Sequence, residues 1–270
     1  MTDSYPVTLR ADLRVMFVGG LTSYRALFAW LTPWILIPTF VLGPIFQVLF
    51  FANVGRAAGV GDDAFFVLGN AVQYAAIPCL FGMGNTVADE RRTQTLGLLL
   101  ISPAHRVPLF LGRALPVLVN GFAVSLLGLV VGALVLQVDL PVSSWPLLVL
   151  AVAVAAFSCS GLGLAMGAVS LRVREGAVLP NILYGVLLFL SGANTPLSAL
   201  PGVLESIGRA LPLTHGILAA RTAAAGGGLG DVAGDLVTEA LIGACYLVLG
   251  LVLLRLLERA SRRSASLELA

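Results

Sequence analysis

Six apolar segments, each long enough to cross a lipid bilayer, constrain the fold of this chain more than any other feature. A transmembrane helix needs about 20 consecutive, mostly apolar residues. Segments that meet this condition occupy residues 31–52, 64–87, 115–136, 145–170, 177–194 and 236–257. Together they predict an all-α integral membrane protein with six transmembrane helices.

The composition supports this class and argues against others. Hydrophobic residues make up 58% of the 270 residues and charged residues only 11%, whereas a soluble domain has about 25% charged residues. A net charge of +2, without a basic stripe and interleaved aromatic residues, gives no reason to expect a nucleic-acid partner. Cys79, Cys159 and Cys245 lie in apolar runs without CxxC spacing, so we expect neither disulfides nor a metal site.

The chain contains no lysine. A P-loop that binds ATP needs a lysine to reach the phosphates. We therefore expect no ATP-binding P-loop, and no cofactor, in this chain.

The arginines predict the orientation of the spans, because cytoplasmic segments are enriched in Arg and Lys. With the N-terminus inside, only Arg56, Arg209 and Arg221 of the sixteen basic residues lie outside, which leaves thirteen in cytoplasmic segments. Both termini are then cytoplasmic. The domain organisation that follows is an N-terminal segment 1–30, a transmembrane domain 31–257 and a C-terminal cytoplasmic tail 258–270.

The N-terminal segment has a helical pattern of its own. Leu9, Leu13, Met16, Phe17, Leu21 and Tyr24 recur at helical spacing, with Arg10 and Arg14 on another face. This pattern predicts an amphipathic helix in the membrane interface; a solvated leader is the alternative.

The outer segment between the fifth and sixth spans is divided by prolines. Pro196, Pro201 and Pro212 flank a helical repeat in which Glu205 and Arg209 are paired one turn apart. A helix of this length is only about 20 Å long, too short to cross the bilayer. We predict a re-entrant helical hairpin in the outer leaflet, followed by a flexible glycine-rich loop over residues 223–235.

Neutral polar residues recur on two of the spans. Asn70, Gln73 and Tyr74 share one face of the second span, and Asn181 and Tyr184 share a face of the fifth, continued by Ser191. Because polar groups that face lipid are unfavourable, these faces should point at protein or water. They either line a substrate path or hydrogen-bond the helices together, and the residues alone favour neither.

The residues needed for an intramembrane hydrolase are poorly placed. Ser158 and Ser160 lie in a span, but of the two histidines His105 belongs to the predicted inner loop and His215 to the predicted outer hairpin. No carboxylate is expected in a span interior, since Glu239 is predicted to lie within a turn of the outer end.

The cytoplasmic segment 88–116, "ADERRTQTLGLLLISPAHRVPLFLGRALP", resembles the inner loop of type-2 ATP-binding cassette (ABC) transporter permeases. The similarity rests on Glu90 with Arg91, Thr95 with Leu96, Ser102 with Pro103, and Gly112 with Arg113. The outer segment is similar as well, with its prolines, the Pro212–Leu213–Thr214 step and the downstream Arg221.

The resemblance implies a permease that works as a dimer, more readily a homodimer than a heterodimer, with two copies of a separate ABC ATPase. It implies a cytoplasmic coupling helix between spans 2 and 3 that contacts the ATPase through Glu90, Arg91, Arg92, Thr95, Leu96, Ser102 and Pro103. The charged residues suit a polar interface and residues 95–101 supply an apolar ridge. The alternative is a solvated loop that only fixes orientation.

The resemblance also favours the substrate path for Asn70, Gln73, Tyr74, Asn181, Tyr184 and Ser191, and an outer gate for Pro196, Pro201, Glu205, Arg209 and Pro212. The expected function is export across a bacterial cell membrane of an amphipathic substrate, namely a drug-like or antibiotic-like natural product, a lipid or a lipid-linked glycan. Antibiotic resistance is one expected outcome. The rival classes are a membrane-embedded enzyme and a membrane scaffold.

Overall fold

The fold consists of helices joined by turns. The computed structural model describes residues 18–20, 34, 38–83, 106–170 and 178–268. The longer helices in these ranges are α1 (Gly43–Ala58), α2 (Asp63–Gln73), α3 (Arg106–Val135), α4 (Trp145–Ser170), α5 (Val178–Leu190), α6 (Gly202–Ala210), α7 (Thr214–Ala224) and α8 (Leu229–Glu268). A π-helical turn (Pro38–Leu42) precedes α1, and 3-10 turns (Val142–Ser144 and Leu197–Ala199) precede α4 and α6. The all-α fold is therefore confirmed for the described ranges.

Four stretches of the described residues are long and apolar enough to cross a membrane. They are Asp63–Met83, Ala114–Val135, Val142–Ser170 and Leu229–Leu256, and they coincide with the second, third, fourth and sixth predicted spans. The helix α5, in the fifth, is apolar but has only 13 residues. The first predicted span is described from residue 38 onward and at Trp34. The total of six spans stays a prediction.

Helix α4 lies at the centre of the bundle, where α2, α3, α7 and α8 pack against it. Its contact with α8 is made by glycines. A β-carbon on Gly243 of α8 would lie 2.6 Å from the Cα of Ser158, and one on Gly161 of α4 would lie 2.6 Å from the carbonyl oxygen of Gly243. Without these β-carbons the two backbones approach closely, which strengthens packing between apolar helices.

A short turn with two polar contacts joins α1 to α2. The Asp62 side chain caps α2 by accepting a 2.8 Å hydrogen bond from the backbone N–H of Phe65, which satisfies one of the free donors of the first turn. The guanidinium of Arg56 at the end of α1 donates a 2.8 Å hydrogen bond to Asp63. After a turn at residues 74–75, residues 76–83 are helical again and complete the span.

The glycine-rich stretch 223–235 is mostly helical, so the expectation of a flexible loop there is wrong. Helix α7 runs to Ala224 and α8 begins at Leu229. The Asp231 side chain accepts a 2.8 Å hydrogen bond from the N–H of Gly228 and stabilises the start of α8. As a result, α8 begins before the predicted span, and Glu239 lies about 15 Å into the helix. The position of the membrane edge, and with it the expectation that Glu239 lies within a turn of the outer end of the span, stays a prediction.

Prolines delimit the outer segment as the sequence indicates. Pro196 precedes the 3-10 turn, Pro201 precedes α6, and Pro212 lies between α6 and α7. The helices α6 and α7 have 9 and 11 residues, so neither can span a bilayer alone. Their re-entrant placement in the outer leaflet remains a prediction.

Two predicted elements fall largely outside the described residues. Of the N-terminal interfacial helix only residues 18–20 are described, and these are helical. The predicted coupling helix lies in the range 84–105, which is outside the described residues, and with it Glu90, Arg91, Arg92, Thr95, Leu96, Ser102 and Pro103.

Candidate functional site

Polar side chains from α1, α2, α5 and the segment that follows α5 meet inside the bundle. The two that begin the network, Asn70 and Gln73, lie one turn apart on α2 and are both fully buried. A helix with this spacing presents both side chains on one face. Because buried amides require hydrogen-bond partners, this face of α2 has to meet polar groups from its neighbours.

Asn70 connects three parts of the chain. Its Nδ2 donates to the side-chain oxygen of Asn194 at 2.8 Å and to the carbonyl oxygen of Phe66 at 3.0 Å. Its Oδ1 accepts a 3.1 Å hydrogen bond from the Nε2 of Gln47 on α1. The Asn70 carboxamide therefore has partners at both ends.

Two hydroxyl groups extend the network. The Tyr184 hydroxyl on α5 donates to the Oε1 of Gln47 at 2.7 Å, and the Ser191 hydroxyl donates to the Oε1 of Gln73 at 2.9 Å. We refer to this set as the polar cluster, whose members are Gln47, Asn70, Gln73, Tyr184, Ser191 and Asn194. It joins four sequence segments inside the bundle.

The Gln73 carboxamide has one donor for which the described residues offer no partner. Its Nε2 is buried and makes no hydrogen bond to them. Since an unmet buried donor is unfavourable, this amide is the group in the cluster best suited to an added acceptor, such as a carbonyl or hydroxyl oxygen of a ligand.

The structure brings together four of the six residues predicted to line a substrate path. These are Asn70, Gln73, Tyr184 and Ser191. The Tyr74 ring is buried and its hydroxyl packs against the backbone of Gly43, in the place a side chain would occupy. Asn181 is exposed on α5. Neither residue is part of the polar cluster as defined above.

Two members of the polar cluster, Gln47 and Asn194, were not singled out in the sequence. Gln47 lies between Phe46 and Val48, and a single amide in such an apolar run indicates a polar contact inside the bundle. Asn194 lies in the loop-like stretch "SGANTP", where an asparagine is ordinary and gave no signal. Its role depends on a contact with Asn70, 124 positions earlier in the chain.

The helix pair α6 and α7 shows the predicted ion pair. The Arg209 guanidinium contacts the Glu205 carboxylate at 2.7 Å, one turn apart on α6, and both side chains are partly exposed. Such an exposed pair contributes little stability. A second contact joins the two helices, since the hydroxyl of Thr214 at the start of α7 donates a 2.6 Å hydrogen bond to the carbonyl oxygen of Gly208 near the end of α6.

A carboxylate from α8 holds the N-terminus of α7. Glu239 is fully buried and accepts hydrogen bonds from the backbone N–H groups of Leu213, His215 and Gly216 at 2.7, 3.1 and 3.1 Å. The first-turn N–H groups of a helix have no partner within it and favour a negative charge. The contact therefore explains why a carboxylate is tolerated inside a predicted span.

The His215 ring lies beside this contact. Its Nδ1 is 2.8 Å from the Asp235 carboxylate of α8, and its Nε2 is 3.2 Å from the carbonyl oxygen of Arg209. Both ring nitrogens thus face groups other than Ser158 or Ser160. The arrangement joins α6, α7 and α8 and does not form the serine–histidine pair that an intramembrane serine hydrolase requires.

The C-terminal half of α7 is held by an arginine. Arg221 donates to the carbonyl oxygens of Gly192, Ala193 and Phe65 at 2.9, 3.0 and 3.1 Å. Its guanidinium carbon lies 3.5 Å from the centroid of the Phe65 ring, a cation–π geometry. Burial lowers the pKa of Arg221 to about 10, so the guanidinium stays charged at neutral pH.

A protein-family model described as ABC-2 family transporter protein matches residues 64–252, which is most of the chain. The chain belongs to this family. The match covers Glu239, Arg221 and every member of the polar cluster except Gln47. A search of individual curated proteins finds no match.

Membership of the ABC-2 transporter family defines the broad role of the molecule. The chain is a permease subunit of an ABC transporter, and the family implies an ABC ATPase as partner. The apolar helices agree with a membrane protein. The resemblance seen in the cytoplasmic and outer segments is thereby confirmed at the level of the family.

Proposed function

We propose that this ABC-2 permease exports an amphipathic substrate from the cytoplasm or the inner leaflet, powered by ATP hydrolysis on a separate subunit. The observation that carries the proposal is the polar cluster, a set of neutral hydrogen-bonding groups inside an apolar bundle of a family-matched permease. A transport path for an amphipathic molecule needs both kinds of surface.

The chemistry of the polar cluster supports a substrate with neutral polar groups. Its members are carboxamides and hydroxyls, which donate and accept hydrogen bonds without a charge. The Nε2 of Gln73, which has no partner in the part of the chain that the structure describes, would pair with an acceptor oxygen. Antibiotic-like natural products, lipids and lipid-linked glycans all combine such oxygens with large apolar parts, and export of an antibiotic would give resistance.

The proposed mechanism places two permease copies with two copies of the ATPase, which bind ATP and Mg²⁺. ATP binding closes the ATPase pair, and the segment 88–106 transmits this motion to the spans, which alternate between inward and outward access. Glu90, Arg91 and Arg92 would contact the ATPase by charge-assisted hydrogen bonds. The ridge over residues 95–101 would fill an apolar groove, and Pro103 would end the coupling helix.

The proposed location is a bacterial cell membrane with both termini in the cytoplasm. The thirteen-to-three division of arginines supports this orientation. It places α6 and α7 on the outer side, where the pair would act as an outer gate. The rival functions, a membrane-embedded enzyme and a membrane scaffold, need no ATPase.

Copurification tests the proposal directly. The full chain, tagged and extracted from native membranes in mild detergent, should retain a soluble ABC ATPase, and the isolated complex should hydrolyse ATP. A matched preparation with Glu90 and Arg91 replaced by alanine should lose the ATPase while keeping the permease. Recovery of a folded permease with no ATPase in either preparation would contradict the proposal and favour one of the rivals.

A further inference from the structure

The turn that follows α5 supplies two members of the polar cluster. Ser191 meets Gln73, and Asn194 meets Asn70. Between them, Gly192 has a φ of 82°, a left-handed conformation that side-chain-bearing residues adopt only with strain. The hydrogen bonds of the cluster therefore depend on how this turn, residues 191–194, is held.

The turn is clamped from two sides. On one side it lies against α2 at Gly69, where a β-carbon would be 2.8 Å from a guanidinium nitrogen of Arg221 and 2.9 Å from the Cα of Ala193. On the other side Arg221 donates to the carbonyl oxygens of Gly192 and Ala193, the two central residues of the turn. The lack of a side chain at Gly69 permits this approach.

Arginine is chemically suited to the clamp. Its guanidinium is planar and presents five donors in a fixed fork, which lets one side chain bind the two turn carbonyls and the carbonyl of Phe65 together. The Phe65 ring supports its face. A lysine ammonium is a compact point charge on a flexible stem and cannot reproduce this geometry.

We propose that Arg221 is a positioning residue for the polar cluster. It fixes the turn 191–194 so that Ser191 and Asn194 reach Gln73 and Asn70. The inference rests on the proposed function, because the polar cluster is taken as the substrate path. Arg221 positions the cluster but is not a member of the cluster. Since the N-terminus of α7 is bound to Glu239 of α8, α7 also links the turn to the last span.

A double-mutant cycle on the full chain, purified in detergent, tests the clamp without any substrate. The variants are Arg221→Met, Asn194→Ala and the double variant, each measured by thermal unfolding. If Arg221 holds the turn, its loss already breaks the Asn194 contact with Asn70. The fall in Tm of the double variant should then equal that of Arg221→Met alone, because the effects of two residues that act through the same turn are not additive.

Arg209→Met combined with Asn194→Ala is the matched control, since Arg209 pairs with exposed Glu205 on α6. There the two falls in Tm should add. If the falls in Tm of Arg221→Met and Asn194→Ala also add up in the double variant, the proposal is overturned. Such additivity would show that the turn keeps its place without the guanidinium.

A second measurement covers the case in which Arg221→Met does not fold. Ala193 is fully buried in the turn, and Ala193→Cys in a background without native cysteines should react slowly with a water-soluble maleimide. Adding Arg221→Lys should raise the rate at least tenfold, whereas adding Arg209→Lys should not. An unchanged rate with Arg221→Lys would reject the clamp.

The two proposals fail in different measurements. The clamp is rejected by additive Tm values or an unchanged cysteine rate, neither of which involves transport. The substrate-path assignment is rejected when Asn70→Ala leaves the relative export of different substrates unchanged.

Discussion

The carboxylate of Glu239, deep in α8, accepts a 2.7 Å hydrogen bond from the backbone N–H of Leu213, at the start of α7. The contact joins residues 26 positions apart and attaches the helix pair α6 and α7 to the last predicted span. Leu213 itself is fully buried with a φ of 77°, a conformation that is unusual for a leucine. The carboxylate thus stabilises a strained turn as well as a helix end.

Glu239→Ala should destabilise the permease strongly. The substitution leaves three backbone N–H groups without their acceptor, and each buried unsatisfied donor costs about 1–3 kcal/mol. Glu239→Gln keeps one acceptor oxygen and should give an intermediate loss. Thermal unfolding in detergent measures the effect, and Glu205→Ala, which removes an exposed carboxylate of α6, is the control that should change Tm little. Equal Tm values for Glu239→Ala and Glu205→Ala would show that the buried contact does not hold the helix pair.

Gly243→Ala should weaken the packing of α8 on α4. The new methyl group would lie 2.6 Å from the Cα of Ser158, so the helices must separate, and an overpacked contact typically loses about 1–3 kcal/mol. The control is Gly234→Ala on the same helix, where nothing lies within 4 Å of the new atom. Because alanine favours a helix over glycine by about 1 kcal/mol, that variant should unfold at a slightly higher temperature. A Tm that rises with both substitutions would contradict the close contact.

Much of the fold could be predicted from the sequence, because apolar run length reports directly on membrane spans. The second, third, fourth and sixth spans follow from it. The start of α8 could not be found this way, since Asp231 and the glycines around it look like loop residues until the cap at Gly228 is seen. Glu239, near the edge of the predicted span, therefore lies about 15 Å from the start of the helix.

The candidate site was partly predictable for a related reason. Asn70 and Gln73 were found because a 3.6-residue period places them on one face. Gln47 and Asn194 were missed because their roles depend on contacts between segments far apart in sequence. In the sequence, Arg221 stands out only through the resemblance to a family pattern. Its contacts with carbonyl oxygens can be identified only in the folded structure.

The predicted orientation can be tested with two single cysteines in a background freed of native cysteines. Ser102→Cys should react only with reagent on the cytoplasmic side. Gly228→Cys should react only from outside, and it is sterically mild since the nearest atom to its β-carbon is 3.8 Å away. Labelling is measured with a membrane-impermeant maleimide on intact cells and on inverted vesicles. Reaction of both positions from the same side would reject the topology.

Substitutions in the coupling segment should prevent the ATPase from driving transport. Replacing Glu90 and Arg91 by alanine should lower both transport and substrate-stimulated ATP hydrolysis more than tenfold. The permease should still be folded in the membrane. Arg172→Ala, which removes a predicted cytoplasmic charge elsewhere, is the control and should leave both activities near the original level. If the double variant behaves like Arg172→Ala, the segment only fixes orientation.

The polar cluster distinguishes a substrate path from a structural tie between helices. Tyr184→Phe removes the hydroxyl that bonds Gln47 but keeps the ring, and Gln73→Met replaces the carboxamide with an apolar chain of similar volume.

If the cluster only ties helices together, each lost hydrogen bond weakens the fold by about 0.6 to 2 kcal/mol and the relative export of different amphipathic dyes from vesicles stays constant. If it lines the path, the order in which those dyes are exported should change by more than any fall in Tm explains. Asn181→Ala, at the exposed position on α5, is expected to change the same order by more than its fall in Tm explains. Ser160→Ala serves as the control, because that buried hydroxyl on α4 donates to the Ala156 carbonyl oxygen and to the Sγ of Cys79, both outside the cluster. A constant order in all the cluster variants, with stability and transport falling together, would assign the cluster a structural role.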